Sequence, residues 1–461
     1  MTGNERVAPT AFAALLAAVD CPAPGSVRFT GADPVLPTRF PVGAAGAAAL
    51  AAVGAAVSAI NTLRGRAALD VGIDLAHAGA ALRSSTYLRI DGNPLPNPWD
   101  PIAGFYPTRD GRHIQLHTNF PHHRDGTVKL LGARNERSAV AAAILRHEAL
   151  LLEDAMAAAG LCATMVRTRE EWLQHPQRRA IAGLPVVQVH KVADGPAQPF
   201  AAAGARPLAG VRVLDLTRVL AGPTCGRTLA EHGAQVLAIA SPRLPNLPAL
   251  VLDTNHGKFS AHLHLDDASD RAMLQQLVRG ADVFSQGYRP GALAGRGFSV
   301  AELAALRPGI VAVDLCAYGD VGPWAARRGY DTLVQSASGI ALEQGGGEVP
   351  RHLPCSALDY IAGYLGAYGA LVALARRARD GGSYHVQVSL AQTARWLDDL
   401  GRIEGPMPPP DLAPDITALL REGDSPAGRL RFLGPVLRLS GSPPGWDFAA
   451  VPTGTHAPAW Q

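Results

Sequence analysis

Apolar positions along the middle of the chain switch between strand-like runs and helix-like spacing in a regular order. Val211-Arg-Val-Leu-Asp-Leu216 is a short apolar strand, and Ala221-Gly-Pro-Thr224 opens a helix with Pro223 near its first turn. Gly233 ends that helix, and Gln235-Val-Leu-Ala-Ile-Ala240 is the next strand. Strand, helix and strand therefore fit within 30 residues, the length of a β-α-β unit. The alternation continues with a helix from Asp267 to Leu277, a strand at Asp282-Val-Phe284, a helix from Val300 to Leu306 and a strand at Ile310-Val-Ala-Val-Asp-Leu315. It predicts an α/β fold, a parallel sheet flanked by helices, with ligands at the carboxyl ends of the strands. No Gly-x-Gly-x-x-Gly follows the first strand, so a dinucleotide is not expected. Nearer the N-terminus, Phe105 to His117 reads as a hairpin turning at Asp110-Gly111. Residues 136–180 read as helical, broken at Pro176, which predicts a smaller α+β domain.

One pattern occurs twice. A helix-like run at 361–378 meets Asp380-Gly-Gly-Ser and then Tyr384-His-Val-Gln-Val-Ser-Leu-Ala-Gln-Thr-Ala394; a run at 45–63 meets Arg64-Gly-Arg66 and then Ala68-Leu-Asp-Val-Gly-Ile-Asp-Leu-Ala-His-Ala78. Ungapped, Val71 falls on Val386 and Ala44 on Asp359. The first copy has the scaffold without the carboxylate; chance similarity of two Ala-rich helices is the competing explanation. Between the copies, 193–207 is rich in Pro, Gly and Ala and reads as a linker. The expected division is 1–192 for the acid-free copy and small domain, 193–207 for the linker, 208–400 for the sheet domain, and 401–461 for a segment returning to it.

Composition narrows the picture. At 461 residues, 48% hydrophobic and 18% charged, the chain is folded and long enough for more than one domain. A net charge of +3 is too mild to argue for nucleic acid. Cys21, Cys162, Cys225, Cys316 and Cys355 are scattered, with no Cys-x-x-Cys, which argues against a zinc or other metal site and fits a reducing cytoplasm. The start lacks the basic and apolar regions of a signal peptide. The run 43–60 is Ala and Gly rather than Leu and Ile, so it reads as a packed helix rather than a membrane span.

The candidate chemistry centres on Asp359, expected at or next to the N-cap of a helix starting near Tyr360, where exposed N–H groups and the dipole favour an anion. A plain cap is the bland alternative. Gly363, Gly366 and Gly369 then strip one helix face at about 1 kcal/mol each, which implies close approach by a backbone or a ligand. Lys258, one of only three lysines, and Arg289 follow strands, where they suit phosphates; Arg218 ends the first strand. Gly345-Gly-Gly347 lacks the Lys-Ser/Thr of a P-loop, and His352 with Cys355 is a weak thiol-nucleophile candidate.

Leu208-Ala-Gly-Val-Arg-Val-Leu-Asp-Leu-Thr-Arg-Val-Leu-Ala-Gly-Pro223 resembles the opening of the family III CoA-transferases, the CaiB/BaiF type that also includes α-methylacyl-CoA racemases. His232-Gly-Ala-Gln-Val236, Asn255-His-Gly-Lys258, Ala281-Asp-Val283, Tyr288-Arg-Pro-Gly291, Tyr318-Gly319, Gly329-Tyr-Asp331 and Gln335-Ser-Ala-Ser-Gly339 follow in the family's order. Segments 437–443 and 451–456 resemble its C-terminal part, and 106–172 its small domain, so nearly the whole chain is covered but rearranged. The resemblance implies a Rossmann-like large domain and a smaller α+β domain. It implies Asp359 as a nucleophile passing through an acyl anhydride and an aspartyl-CoA thioester, and a thioester lying against the glycine face, with Asp331 as a second acid and Arg218 in the cleft. It further implies Lys258, Arg289, Asn255, Ala221 and Tyr318 around coenzyme A or acyl-CoA, bound as substrate, with no prosthetic group, nucleic acid or membrane as partner. A homodimer, possibly interlocked, or a pseudo-dimer within one chain is expected. Two departures stand out: the family's Ile-Lys-Val-Glu is Leu237-Ala-Ile-Ala240, and its Asn-Phe-Arg-Pro is Gly287-Tyr-Arg-Pro290. Racemases carry His where Tyr330 stands, and a phenol is a poor proton-transfer partner at neutral pH. A racemase and a degenerate CoA-binding protein remain the alternatives.

Overall fold

The computed structural model describes residues 3–97, 99–201 and 204–461, with the backbone only for residues 3 and 4. Strand alternation in the sheet domain sorts side chains onto two faces. Val213, Val236, Val283, Val311 and Val313 enter one core with the Ala221–Glu231 and Ala357–Asp380 helices. Leu214, Leu237, Ile239, Phe284 and Ala312 enter a second, with Leu274, Leu277 and Leu303 of the Ala268–Arg279 and Val300–Leu306 helices. Burial on both faces is what a parallel sheet requires.

The seven strands stand in the order Lys258–His262, Gln235–Ala240, Arg212–Leu216, Val283–Gln286, Val311–Cys316, Ser383–Ser389 and Gln188–Ala193. The first six are parallel, and the last is an antiparallel edge strand. Chain order reverses between Arg212–Leu216 and Val283–Gln286, which lie side by side, so the connections leaving their carboxyl ends run in opposite directions and leave a crevice. The edge strand comes from before the expected linker at 193–207; residues 202 and 203 of that stretch lie outside the described residues.

The repeated unit folds the same way twice. Val42–Leu63 leads into Val71–Asp74, parallel to Val27–Thr30, as Ala357–Asp380 leads into Ser383–Ser389, parallel to Val311–Cys316. The two long helices pack against each other in one core. Both are long and apolar enough to cross a membrane by length and composition, yet both are buried among protein side chains.

In the smaller domain, Gly104–Pro107 and His113–Leu116 form the expected hairpin, with Gly111 at a φ of 73° in its turn. The stretch expected to be helical from 136 to 180 contains a strand, Ala163–Met165, which pairs with His113–Leu116. Three residues are too few to show a period, and their partner lies far away in sequence. Near the C-terminus, Leu420–Ser425 and Gly428–Leu433 pair with each other and with Arg89–Ile90. The last residues return to the sheet domain: His456 N–H donates to Ser260 O at 2.7 Å and Trp460 Nε1 to Leu277 O at 3.2 Å.

Candidate active site

The crevice where chain order reverses opens into a cavity of about 620 Å³. The loop after Leu216 forms one wall, Ala240 and Ser241 another, and Gly287 to Pro290 a third; Asp359 and Ala362 reach it from the long helix. His122 and His123, from the smaller domain, line its far side. Six arginines face it: Arg218, Arg243, Arg289, Arg296, Arg327 and Arg328. Arg296 is held by Asp266 at 2.7 Å and Arg218 by the Pro245 carbonyl, but the lining has a clear excess of positive charge, as an anionic ligand requires.

Asp359 lies deeper in its helix than the sequence suggests. The helix begins at Ala357 with Ser356 as its N-cap, which makes Asp359 the third helical residue. Ser356 makes no side-chain cap bond. That work is done from 28 residues upstream: Asp331 Oδ2 accepts the N–H groups of Leu358 at 2.9 Å and Asp359 at 3.0 Å. Its other oxygen accepts from Gln335 Nε2. Asp331 thus occupies the capping role, and the Asp359 carboxyl has no hydrogen-bond partner among the described residues. Burial pushes Asp331 up to about 6, against the pull of these three donors. Burial and the neighbouring Asp331 charge push Asp359 well above the usual carboxylate range. Asp331, which accepts three donors where the Asp359 carboxyl accepts none among the described residues, is the better placed of the two to hold a negative charge.

Of the two occupants expected on the glycine face of this helix, a backbone or a ligand, the structure shows protein. A Cβ on Gly363 would come within 2.5 Å of Ala221 O and 2.6 Å of Thr224 Cβ. On Gly369 it would meet Val386 Cγ1 at 2.4 Å. The glycines admit the Ala221–Glu231 helix and the following strand, so protein fills the face where a thioester was expected.

The structure brings Asp359, Arg218, Arg289 and Ala221 onto the cavity, with Asp331 directly behind Asp359. Three expected residues lie elsewhere. Lys258 is fully buried, its Nζ 2.7 Å from both Asp215 Oδ2 and the Pro223 carbonyl. Burial lowers its pKa and the Asp215 partner opposes that, so its charge is spent inside the fold rather than on a phosphate. Gly226 makes room: a Cβ there would stand 2.4 Å from Asp215 Oδ2. Asn255 donates to Val451 O at 3.0 Å, and Tyr318 is buried with its hydroxyl 3.5 Å from Thr164 Oγ1. Cys355 is buried, and burial raises its pKa far out of the nucleophilic range, which removes the thiol alternative.

Sequence reasoning missed the histidines. His117 stacks on Tyr330 with ring centroids 3.9 Å apart, and burial lowers His117 and His123 to about 3, so both rings are neutral. The signal was Pro121-His122-His123 at a helix start, uninformative until the helix is placed over the cavity. Arg243 was also missed. It reaches the cavity just beyond Ser241, where the expected basic residue is absent. Val219, on the same wall, has a φ of 71°, an unusual conformation for a β-branched residue that costs roughly 1–3 kcal/mol.

The model of CoA-transferase family III matches residues 208–400. An acyl-CoA transferase of Gibberella moniliformis is 31% identical over 414 residues, covering 79% of this chain and 72% of the relative. Acetyl-coenzyme A transferase nodX of Hypoxylon pulicicidum is 41% identical over 199 residues, 42% of this chain; the match spans 34% of that protein's length. A solved structure of a CAIB/BAIF family protein from Brucella suis is 25% identical with a TM-score of 0.40, covering 49% of this chain and 65% of the other.

Proposed function

The chain belongs to CoA-transferase family III, and from that premise we propose that it moves CoA from an acyl-CoA donor to a carboxylic acid, with Asp359 as the covalent carrier. One observation carries this reading. Asp331 takes over the helix-capping bonds, and Asp359 is left as an unpartnered carboxyl on an arginine-lined cavity.

In the proposed sequence the Asp359 carboxylate attacks the donor thioester, the C–S bond breaks, and CoA thiolate leaves a mixed anhydride. The thiolate then attacks the aspartyl carbonyl, releasing the donor acid and forming an aspartyl-CoA thioester. The acceptor carboxylate attacks this in turn, giving a new anhydride and thiolate. Thiolate attack on the acceptor carbonyl releases the new acyl-CoA and restores Asp359. Arg218, Arg289 and Arg243 suit the phosphates of CoA by position and charge. Because His122 and His123 of the N-terminal half cover a cavity of the C-terminal half, the fold supports a pseudo-dimer within one chain. The racemase alternative needs a proton-transfer partner for Asp359. Tyr330 is a poor one, because burial raises its phenol further from neutrality.

The test is to incubate the protein with acyl-CoA donors, add hydroxylamine, and seek a hydroxamate at Asp359 by mass spectrometry. The adduct is expected with the native chain and not with Asp359→Ala. Its absence with every donor, or α-proton exchange in deuterated water without an adduct, would sink the transferase reading.

A further inference from the structure

A second cavity, of about 390 Å³, also reaches Asp359. The two cavities share Val219, Leu220, Tyr330 and Asp359, so the carboxyl stands where they meet. Their walls differ in kind. Among the described residues, six arginines face the first, and Arg89 is the one cationic side chain lining the second. Its Nη1 is engaged by the carbonyls of Thr86 at 3.0 Å and Leu88 at 2.8 Å. Leu88, Leu95, Trp99, Leu247 and Leu250 lead an apolar part of the wall, and side chains such as Asn97, Asn119 and Ser356 add polar groups without charge. Asp331, also on this wall, has its oxygens committed to the helix N–H groups and Gln335. His117 is buried here with Nδ1 unpartnered, and its ring stays neutral.

A thioester with its carbonyl at Asp359 has two substituents that depart in different directions. The sulfur leads to a long polyanionic carrier, and the arginine-lined cavity suits that side. The acyl chain must leave by the other. We propose that the second cavity is the acyl compartment, and that it selects apolar acyl groups of several carbons over acetyl and over acyl groups with a distal carboxylate. This rests on the reading of Asp359 as acyl carrier and names its substrate class. Much of the compartment's wall comes from residues 85–119, so the half of the chain without the acid sets acyl specificity.

Binding tests this without relying on the chemistry. The full chain carrying Asp359→Ala is titrated by calorimetry with acetyl-, succinyl- and hexanoyl-CoA. Each buried methylene strengthens binding by about fourfold, so hexanoyl-CoA is expected to bind more than tenfold tighter than acetyl-CoA, and succinyl-CoA no tighter than acetyl-CoA. Adding Ala249→Phe, which puts a ring on the compartment wall, should cut the hexanoyl-to-acetyl ratio at least tenfold. Tighter binding of succinyl- than hexanoyl-CoA, a ratio unmoved by Ala249→Phe, or no binding of any CoA ester would overturn the assignment. The ligand series decides even where the second variant does not fold. A missing hydroxamate sinks the role of Asp359; a wrong ligand order sinks the compartment alone.

Discussion

The Val42–Leu63 and Ala357–Asp380 helices belong to the repeated helix-strand pattern, and their first turns are capped alike. In each, a carboxylate from an upstream segment accepts two N–H groups of the first turn. Asp33 takes those of Gly43 at 3.1 Å and Ala44 at 2.7 Å; Asp331 takes those of Leu358 and Asp359. Ala44 is fully buried, whereas Asp359 retains 8% exposure toward the cavities. The upstream acid is thus part of the scaffold in both copies. What distinguishes the second is an acid at the third helical position together with a space in front of it. A helix start of this kind is a structural device first; when another group satisfies its amides, a carboxyl placed there is left without a capping role.

Exchanging the two side chains breaks the comparison most completely. Asp359→Ala combined with Ala44→Asp is expected to lower CoA transfer by at least about a thousandfold, since the proposed nucleophile is gone. It should also destabilise the fold by about 3 kcal/mol, because position 44 buries the new carboxyl without a partner. A kinetic assay and a denaturant titration read the two effects; activity in the exchanged variant would show that the copies are functionally equivalent.

A smaller effect comes from the capping acid of the reactive copy. Burial and Asp331 raise the pKa of Asp359, and in the proposed mechanism only its anion attacks, so hydroxamate formation should increase with pH through that raised value. Asp331→Asn removes the like charge and keeps an oxygen for the N–H groups. The rise should move to lower pH, and an unshifted profile would show that the two carboxyls do not interact. The smallest effect is at the other copy. Asp33→Ala should cost about 1–2 kcal/mol, read as a lower Tm at pH 5, while hydroxamate yield at Asp359 stays the same. Burial pushes Asp33 up to about 6, so at that pH the carboxyl is largely neutral and its removal relieves no buried charge. A loss of hydroxamate yield would tie the first copy to the chemistry.

Particular residues show how far the chain could be read in advance. The strands at 212–216, 235–240 and 311–316 and the helix at Val300–Leu306 lie within a residue or two of their expected bounds, because each carries its own period and stop signal. Ala163–Met165 escaped, since a three-residue strand exists by virtue of its partner. Asp359, Arg218 and Arg289 were legible as a group because each follows a strand or lies in the first turn of a helix on the edge where a parallel sheet binds ligand. Lys258 was expected to follow a strand, but it opens the strand Lys258–His262 instead. Its partner Asp215 is 43 residues away, and Gly226, which lets them meet, sits on a third element.

By itself, the sequence determined what depends on neighbours along the chain: the alternation of strands and helices, the repeated helix-strand unit and the one copy with an acid. Hydrophobic period and turn chemistry act over a few residues, so they survive in a one-dimensional reading. The tertiary structure alone decided which charges are spent and which are free. Asp331 caps the helix of Asp359, Lys258 is neutralised inside the fold, and the N-terminal half walls a compartment for a carboxyl of the C-terminal half. Those outcomes depend on burial and on contacts between distant segments, and both exist only once the chain has closed around them.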